Sequence, residues 1–489
     1  MNSLFHLFKN NLILSSENFI YPVLLGEKRV KMKEFPKPLP LWKLIGPSFI
    51  ILALGLGSGE VILWPYLVSN WGLGIAWGAL LGITFQFFMN MEIERYALVK
   101  GESVFVGLGK RMKWAPYWFI LSTFIGFGIP GIIAASAKVF SHLAGIGDYF
   151  RFAAIGFLIF IGLILSSGKT VYGRMEKITK YVLLIGTPFI FVLAVLIAEP
   201  ADWVVLGQGL IGRGEGFNFL PIGIGFAAFL AAFAYSGAGG NLNLSQSIYV
   251  KEKGYGMGKY SQRISGFFRS RKGEQIKLSG EDFKMNDENL KRFKVWWKRI
   301  SIEHLIVFWF IGLVTMSMLM LLAYSTTYKI GGDFGEGIDF VISEGAVIGQ
   351  SLVPAVGLLF LIAVVIMLFQ TQLGVMDSTS RIMAENWAVK RVGKSGKINL
   401  SKIYFLFLWA QILFGVILFL FDFQPLFLIV LGAVINAFAM FVHLGLVNWM
   451  NWKVLPREVQ ASWLRKGIII LIFVFFGVFS GITLWDNIF

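Results

Sequence analysis

The chain has 489 residues, of which 56% are hydrophobic and only 15% charged, and it contains no cysteine. A soluble domain carries about 25% charged residues, so this composition excludes an ordinary soluble enzyme and a disordered chain. Without cysteine there is no disulfide, no thiol nucleophile and no cysteine metal site. The net charge of +16 would suggest nucleic acid in a soluble protein. Here it is a feature of membrane topology, and no nucleic-acid partner is expected. His6, His142, His304 and His443 are scattered and form no His-Glu-x-x-His pattern, so metalloprotease chemistry has no basis. The chain reads as a non-enzyme without a cofactor, whose constant partner is the lipid bilayer.

Residues 1–40 form a basic N-terminal segment. Its apolar stretch, Leu12–Leu25, is interrupted by Ser15, Ser16, Glu17 and Asn18, which makes it too short and too broken to span a bilayer. No small-residue cleavage site follows, and Met32 is an alternative start. The rest, 41–489, is a transmembrane domain. Eleven apolar spans are expected near 43–69, 72–98, 114–142, 149–168, 176–199, 221–250, 301–327, 346–376, 402–421, 425–450 and 467–486. These divide into a first repeat at about 43–199, a second at about 221–450 and an extra helix at 467–486.

Basic residues fall on alternate loops. Lys28, Arg29, Lys31, Lys33 and Lys37 precede the first span. Lys110, Arg111 and Lys113 follow the second, Lys169, Arg174 and Lys177 the fourth, Lys390, Arg391, Lys394 and Lys397 the eighth, and Lys453, Arg457 and Arg465 the tenth. The segment 251–299 after the sixth span is crowded with Lys and Arg, whereas the loop after the seventh carries Asp333, Glu336, Asp339 and Glu344. The positive-inside rule then puts the N-terminus and 251–299 in the cytoplasm and the C-terminus outside, in an integral protein expected in the cell membrane.

Two spans are interrupted. The first contains Gly55-Leu56-Gly57-Ser58-Gly59-Glu60 and the sixth Ser236-Gly237-Ala238-Gly239-Gly240-Asn241. They lie five spans apart, an odd number, so the two helices cross in opposite directions, as an inverted repeat of five plus five requires. Unwinding frees carbonyls, which favour cations, and helix N-termini, which favour anions. Lipid does not tolerate such groups, so the breaks are expected to line a cavity. Glycines that serve only close helix packing are the structural alternative.

These residues resemble the Nramp metal-ion transporters, which have the LeuT fold. Gly46-Pro47-Ser48-Phe49 looks like that family's Gly-Pro-Gly-Phe start, and Gly57-Ser58-Gly59-Glu60 stands at its Asp-Pro-Gly-Asn. Ala238-Gly239-Gly240-Asn241-Leu242-Asn243-Leu244-Ser245-Gln246 stands at its Met-Pro-His-Asn-Leu-Tyr-Leu-His-Ser. Glu94-Arg95-Tyr96 to Gly101 and Gln370 to Glu385 are similar to its second and eighth spans. The resemblance implies an all-α carrier with discontinuous first and sixth helices. It also implies that the metal ligands differ: the family's Asp, Asn and Met positions are Gly57, Glu60 and Ala238, and its two His positions are Gly240 and Ser245. Without thioether or imidazole the expected substrate is a hard divalent cation such as Mg²⁺ or Mn²⁺.

The candidate metal ligands are therefore Glu60 and backbone carbonyls at Gly57 and Ala238, with Ser58, Gly240, Asn241, Asn243 and Gln370 as further substrate contacts. Glu60 and Lys138 are the candidates for proton coupling. By resemblance, Lys138 occupies a position where the family keeps an acidic residue on its proton path. The structural alternatives are that Glu60 and Lys138 pair, that Lys138 snorkels outward, and that Asn241 caps the second half-helix. Gln372, Asn436 and His443 read as interhelical hydrogen-bonding groups, and Asp377 and Arg381 as an ion pair one helical turn apart. A carrier of a small organic solute, such as an amino acid or amine, and a non-transporting receptor or subunit on the same fold are the alternative functions.

Overall fold

The computed structural model describes residues 32–44, 46–167, 171–261, 278–331, 334, 335, 337–391, 399–421 and 423–488. The stretch Leu12–Leu25, the basic residues Lys28, Arg29, Lys31, Lys169, Lys394 and Lys397, and the acidic Asp333 and Glu336 lie outside these. Among the described residues there is no strand, only the isolated bridges Lys33–Phe283 and Arg213–Asn218.

Among the described residues, nine helices are long and apolar enough to cross a membrane. They are span one (Pro47–Trp71, broken inside), two (Leu73–Lys100), three (Ala115–Leu143), five (Val171–Ile197), seven (Asp287–Tyr328), eight (Pro354–Arg391), nine (Leu400–Leu418), ten (Pro425–Val454) and eleven (Trp463–Ile488). Span four, Phe150–Ser166, is shorter but apolar. Span six is split into Phe226–Ala234 and Ser245–Lys253. The molecule is an all-α polytopic membrane protein: nine of the eleven expected spans are such helices among the described residues, the fourth is shorter and the sixth is split.

The ends differ from expectation where proline or a cap intervenes. The stretch expected to open span eight, from residue 346, belongs to a separate helix, Ile338–Ser351. Span eight starts at Pro354, which lacks an N–H and disfavours helix in the residue before it. It then runs on to Arg391 through a polar stretch whose side chains are buried. Span seven starts fourteen residues early, at Asp287, because the Asn286 side chain accepts from the Asn289 N–H and caps the helix. Span three is divided at Pro130 into Ala115–Gly128 and Gly131–Leu143.

Burial sorts the spans into layers. Span one is the central element, 94% buried over its most apolar window, against 22% for span five. Spans four, five, nine and eleven turn Phe160, Ile185, Leu413 and Leu471 outward, as a lipid-facing layer must. The loops gather on two faces. On the basic face, Lys33 pairs with Glu281 and Lys100 with Asp282. Phe35, Pro36 and Leu39 are tied to the start of span seven by Asn289, Trp296 and Arg299. On the opposite face Lys329 bridges to Glu199 and Asp202.

Candidate functional site at the paired helix breaks

The two breaks meet at the centre. Helix one runs Pro47–Gly55, is interrupted at Leu56 and Gly57, and resumes as a π-helical turn, Ser58–Leu63. In span six the helix stops after Ala234, and only a short 3-10 turn, Gly240–Leu242, precedes Ser245. The two chains cross in backbone contact: a Cβ placed on Gly55 would stand 2.7 Å from the carbonyl carbon of Gly237. Gly239 and Gly240 have φ of 71° and 51°, the left-handed region open to glycine at little cost. Close packing and unwinding are thus served by the same glycines.

The carbonyls freed at the first break are largely reclaimed. Gly57 N–H bonds to Gly55 O at 2.6 Å, and Val61 N–H to Gly57 O at 2.9 Å. Gly57 lies against Thr371 of span eight, whose hydroxyl donates to Ala53 O at 3.1 Å. Ser58 belongs to the π turn, and its side chain is not among those described. Glu60, in the same turn, is fully buried and neither carboxylate oxygen meets a protein hydrogen-bond partner. Its Oε1 looks toward Gly312 of span seven, a wall that also holds Ile83 and Leu52.

Glu60 does not pair with Lys138. The Lys138 ammonium reaches Asp339 at 2.7 Å, on the helix after span seven, so it turns away from the breaks toward the face opposite the basic one. A lysine near the end of a membrane helix finds its counter-charge in the headgroup region, and this one ties span three to the helix Ile338–Ser351 there.

Asn241 does not cap a helix. Its amide donates to Ser122 and Thr123 of span three at 2.8 and 3.0 Å, because the 3-10 turn supplies the local bonds a cap would have made. Asn243 is buried without a partner at either side-chain atom. Gln370 donates to Thr179 at 3.2 Å, across to span five. Asn436 donates to Gly126 O and to the Tyr235 hydroxyl, both at 2.9 Å, and its carbonyl lies against Gly240. Ala238 is buried at the break. His443 is buried with no partner on either ring nitrogen. Asp377 and Arg381 do pair, at 2.8 Å, and Arg381 also holds Glu252 of span six at 2.5 Å. Beside the second break a water-sized cavity of about 10 Å³ is lined by Phe127, Tyr235, Gln372, Val375 and Ile429.

Two functional-looking groups escaped the sequence. Gln86 of span two clamps the second break, donating to Ala234 O at 3.0 Å and accepting from the Gly239 N–H at 3.1 Å. The signal was present as Gln86, Asn90 and Glu94, polar at every fourth residue of a hydrophobic span. Glu303 and His304 carry no such spacing signal, standing in the first residues of the expected seventh span, 301–327. They are buried, with Ser48 hydrogen-bonded to both. Among the described residues no three His, Asp or Glu side chains converge to hold a metal ion.

No family model matches the sequence, and neither does any curated protein. Solved structures do match. A mutant of the manganese transporter of Eremococcus coleocola aligns with a TM-score of 0.67 at 11% identity, over 92% of this chain and 89% of that one. The same transporter in complex with an aromatic bis-isothiourea substituted compound aligns with a TM-score of 0.61 at 12% identity, over 94% and 90%. This chain has that transporter's fold. Identity so low carries the arrangement of helices and not the ligand set, because a fold hosts many functions.

Proposed function

We propose that the chain is a secondary transporter, similar to the Nramp type, that moves a small cation by alternating access around the crossed breaks of spans one and six. The observation that carries this reading is Glu60, a carboxylate buried at a helix break with no protein donor for either oxygen. Charges inside a membrane protein are costly and serve ions or their pathways. Around the two breaks, Asn241 and Asn243 of span six and Thr371 and Gln372 of span eight offer oxygen and amide groups without sulfur, which suits a hard divalent ion such as Mg²⁺ or Mn²⁺ that keeps part of its water. The carbonyls of Gly57 and Ala238 would complete its shell. In this reading the basic face is cytoplasmic, the protein lies in the cell membrane, and a proton gradient drives the cycle.

A second reading, a carrier of a small organic solute, is favoured by the lack, among the described residues, of any three His, Asp or Glu side chains that converge to hold a metal ion. Proteoliposome uptake decides between them. The first reading expects Mg²⁺ or Mn²⁺ to accumulate and amino acids and amines not to. Solute uptake without metal uptake supports the second, and neither supports a receptor or subunit on this fold.

A further inference from the structure

We propose that a buried cluster of charges on the basic side of the breaks binds a single proton at Glu252, because Arg381 cannot neutralise Glu252 and Asp377 together. The site lies apart from the paired breaks, and the inference holds whether or not Mg²⁺ or Mn²⁺ is the substrate.

Two spans supply the charges. Lys251 and Glu252 stand in the last turn of the second half of span six, Ser245–Lys253, and Asp377, Arg381 and Glu385 on successive turns of span eight. Each is more than nine-tenths buried. Lys251 meets Glu385 at 2.5 Å, one base to one acid. Arg381 is shared. Its Nε donates to Asp377 Oδ2 at 2.8 Å and its Nη1 to Glu252 Oε1 at 2.5 Å, while Nη2 meets no protein partner, so the guanidinium closes its two-pronged fork on neither acid. The two acids fare differently. Asp377 also accepts from the Tyr404 hydroxyl at 2.8 Å and from the Tyr249 hydroxyl at 3.3 Å. Glu252 has Arg381 as its one bonded side chain among the described residues. The other charges on the packed elements are placed elsewhere. Glu94 of span two accepts from Gln246 at 3.3 Å. Lys110 and Arg111, on the short helix Val104–Arg111 against span eight, are taken by Glu102 and by the Gly107 carbonyl. Lys253 is only partly buried and, as the next residue, projects about 100° round the helix from Glu252. Lys259 is exposed, and the first half of span one carries no charge.

Three acids against two bases leave one excess negative charge in a dry interior, which is costly. The helix end adds to that cost. Glu252 is the last residue but one of its helix, where backbone carbonyls gather partial negative charge. One proton removes both costs. It goes to Glu252, because Asp377 has three donors to hold its charge and Glu385 has a base to itself. The neutral Glu252 still accepts from Arg381 through its carbonyl oxygen, so the contact between the spans survives protonation. The proton leaves when the second half of span six withdraws from span eight. Glu252 then meets water, and Arg381 stays with Asp377, its neighbour one helical turn away. Occupancy of the site is thereby linked to the position of this half-helix.

The test is the pH-induced infrared difference spectrum of purified, detergent-solubilised protein, read at the carbonyl stretch of a protonated carboxylic acid. Glu252→Gln should remove one such titrating band. Asp377→Asn should remove the same band, because Arg381 then serves Glu252 alone and the charges balance, and the double variant should lose no second one. Melting curves give an independent reading. The folded chain binds this proton more tightly than the unfolded one, so the stabilisation is lost as pH rises. Between about pH 5 and about pH 8 the melting midpoint of the parent should fall relative to that of Glu252→Gln. Glu344 and the other buried carboxyls are common to both chains and cancel in the difference. If Asp377→Asn does not fold, Glu252→Gln carries the test in both measurements. A spectrum that Glu252→Gln leaves unchanged, a band that persists in Asp377→Asn, or a midpoint difference that is constant with pH overturns the proposal. Because no substrate is used, failure to transport Mg²⁺ or Mn²⁺ would count against the proposed function and leave this result standing.

Discussion

Glu60 and Glu344 are two buried glutamates with different expected behaviour. No donor or base is bonded to Glu60, so Glu60→Gln should leave thermal stability near that of the parent, while uptake in proteoliposomes is abolished or loses its dependence on the proton gradient. Lys138→Met should not alter that outcome, since Lys138 is paired with Asp339. Retained uptake with unchanged pH dependence would remove Glu60 from the transport cycle. Glu344 lies on the helix between spans seven and eight, outside the membrane crossings. Burial pushes its carboxyl up to about 8, against a hydrogen bond with Thr326 that lowers it. The folded chain therefore holds this proton more tightly than the unfolded one. The stabilisation is fully present below the ordinary value of 4.5 and is lost as pH rises through about 8. Melting curves should show the parent losing on the order of 2 kcal/mol between about pH 6 and about pH 9, and Glu344→Gln losing less.

Among the elements, the second half of span six depends most on its partners. Ser245–Lys253 has nine residues, too few to be stable alone, and it is anchored through charge. Arg381 of span eight is fully buried between Glu252 and Asp377, and the Tyr404 hydroxyl donates to Asp377 at 2.8 Å. Lys251 meets Glu385 at 2.5 Å. Breaking a buried pair leaves an uncompensated charge and costs about 3–5 kcal/mol. Arg381→Met should therefore lower the unfolding midpoint sharply in detergent. Arg381→Lys should restore little, because an ammonium cannot span both carboxylates as the guanidinium fork does. A variant melting like the parent would show that this anchor contributes nothing to stability.

For the molecule as a whole, the segregation of basic loops to one face predicts orientation. Met285 and Ile330 are exposed on opposite faces, and the chain has no cysteine of its own. With an impermeant thiol reagent on intact cells, Ile330→Cys should label and Met285→Cys should label only after permeabilisation. The reverse pattern would invert the topology.

Patterns along the chain were enough for the all-α membrane class, most of the spans and the two glycine-rich breaks. Bilayer thickness sets span length, and an unwound helix in lipid demands small residues and a cavity. The pair Asp377 and Arg381 was legible for a similar reason, being one helical turn apart. What faces what was decided by packing between spans far apart in sequence. Lys138 met Asp339 and left Glu60 without a base; Asn241 found Ser122 and Thr123 and left capping to a 3-10 turn; Gln86 became the clamp on the second break. Ser48 of span one met Glu303 and His304 of span seven, and no spacing along one helix could have announced it. A polar side chain in a membrane helix takes its partner from whichever neighbour the bundle brings alongside, and that neighbour is chosen by the helix crossings rather than by local sequence.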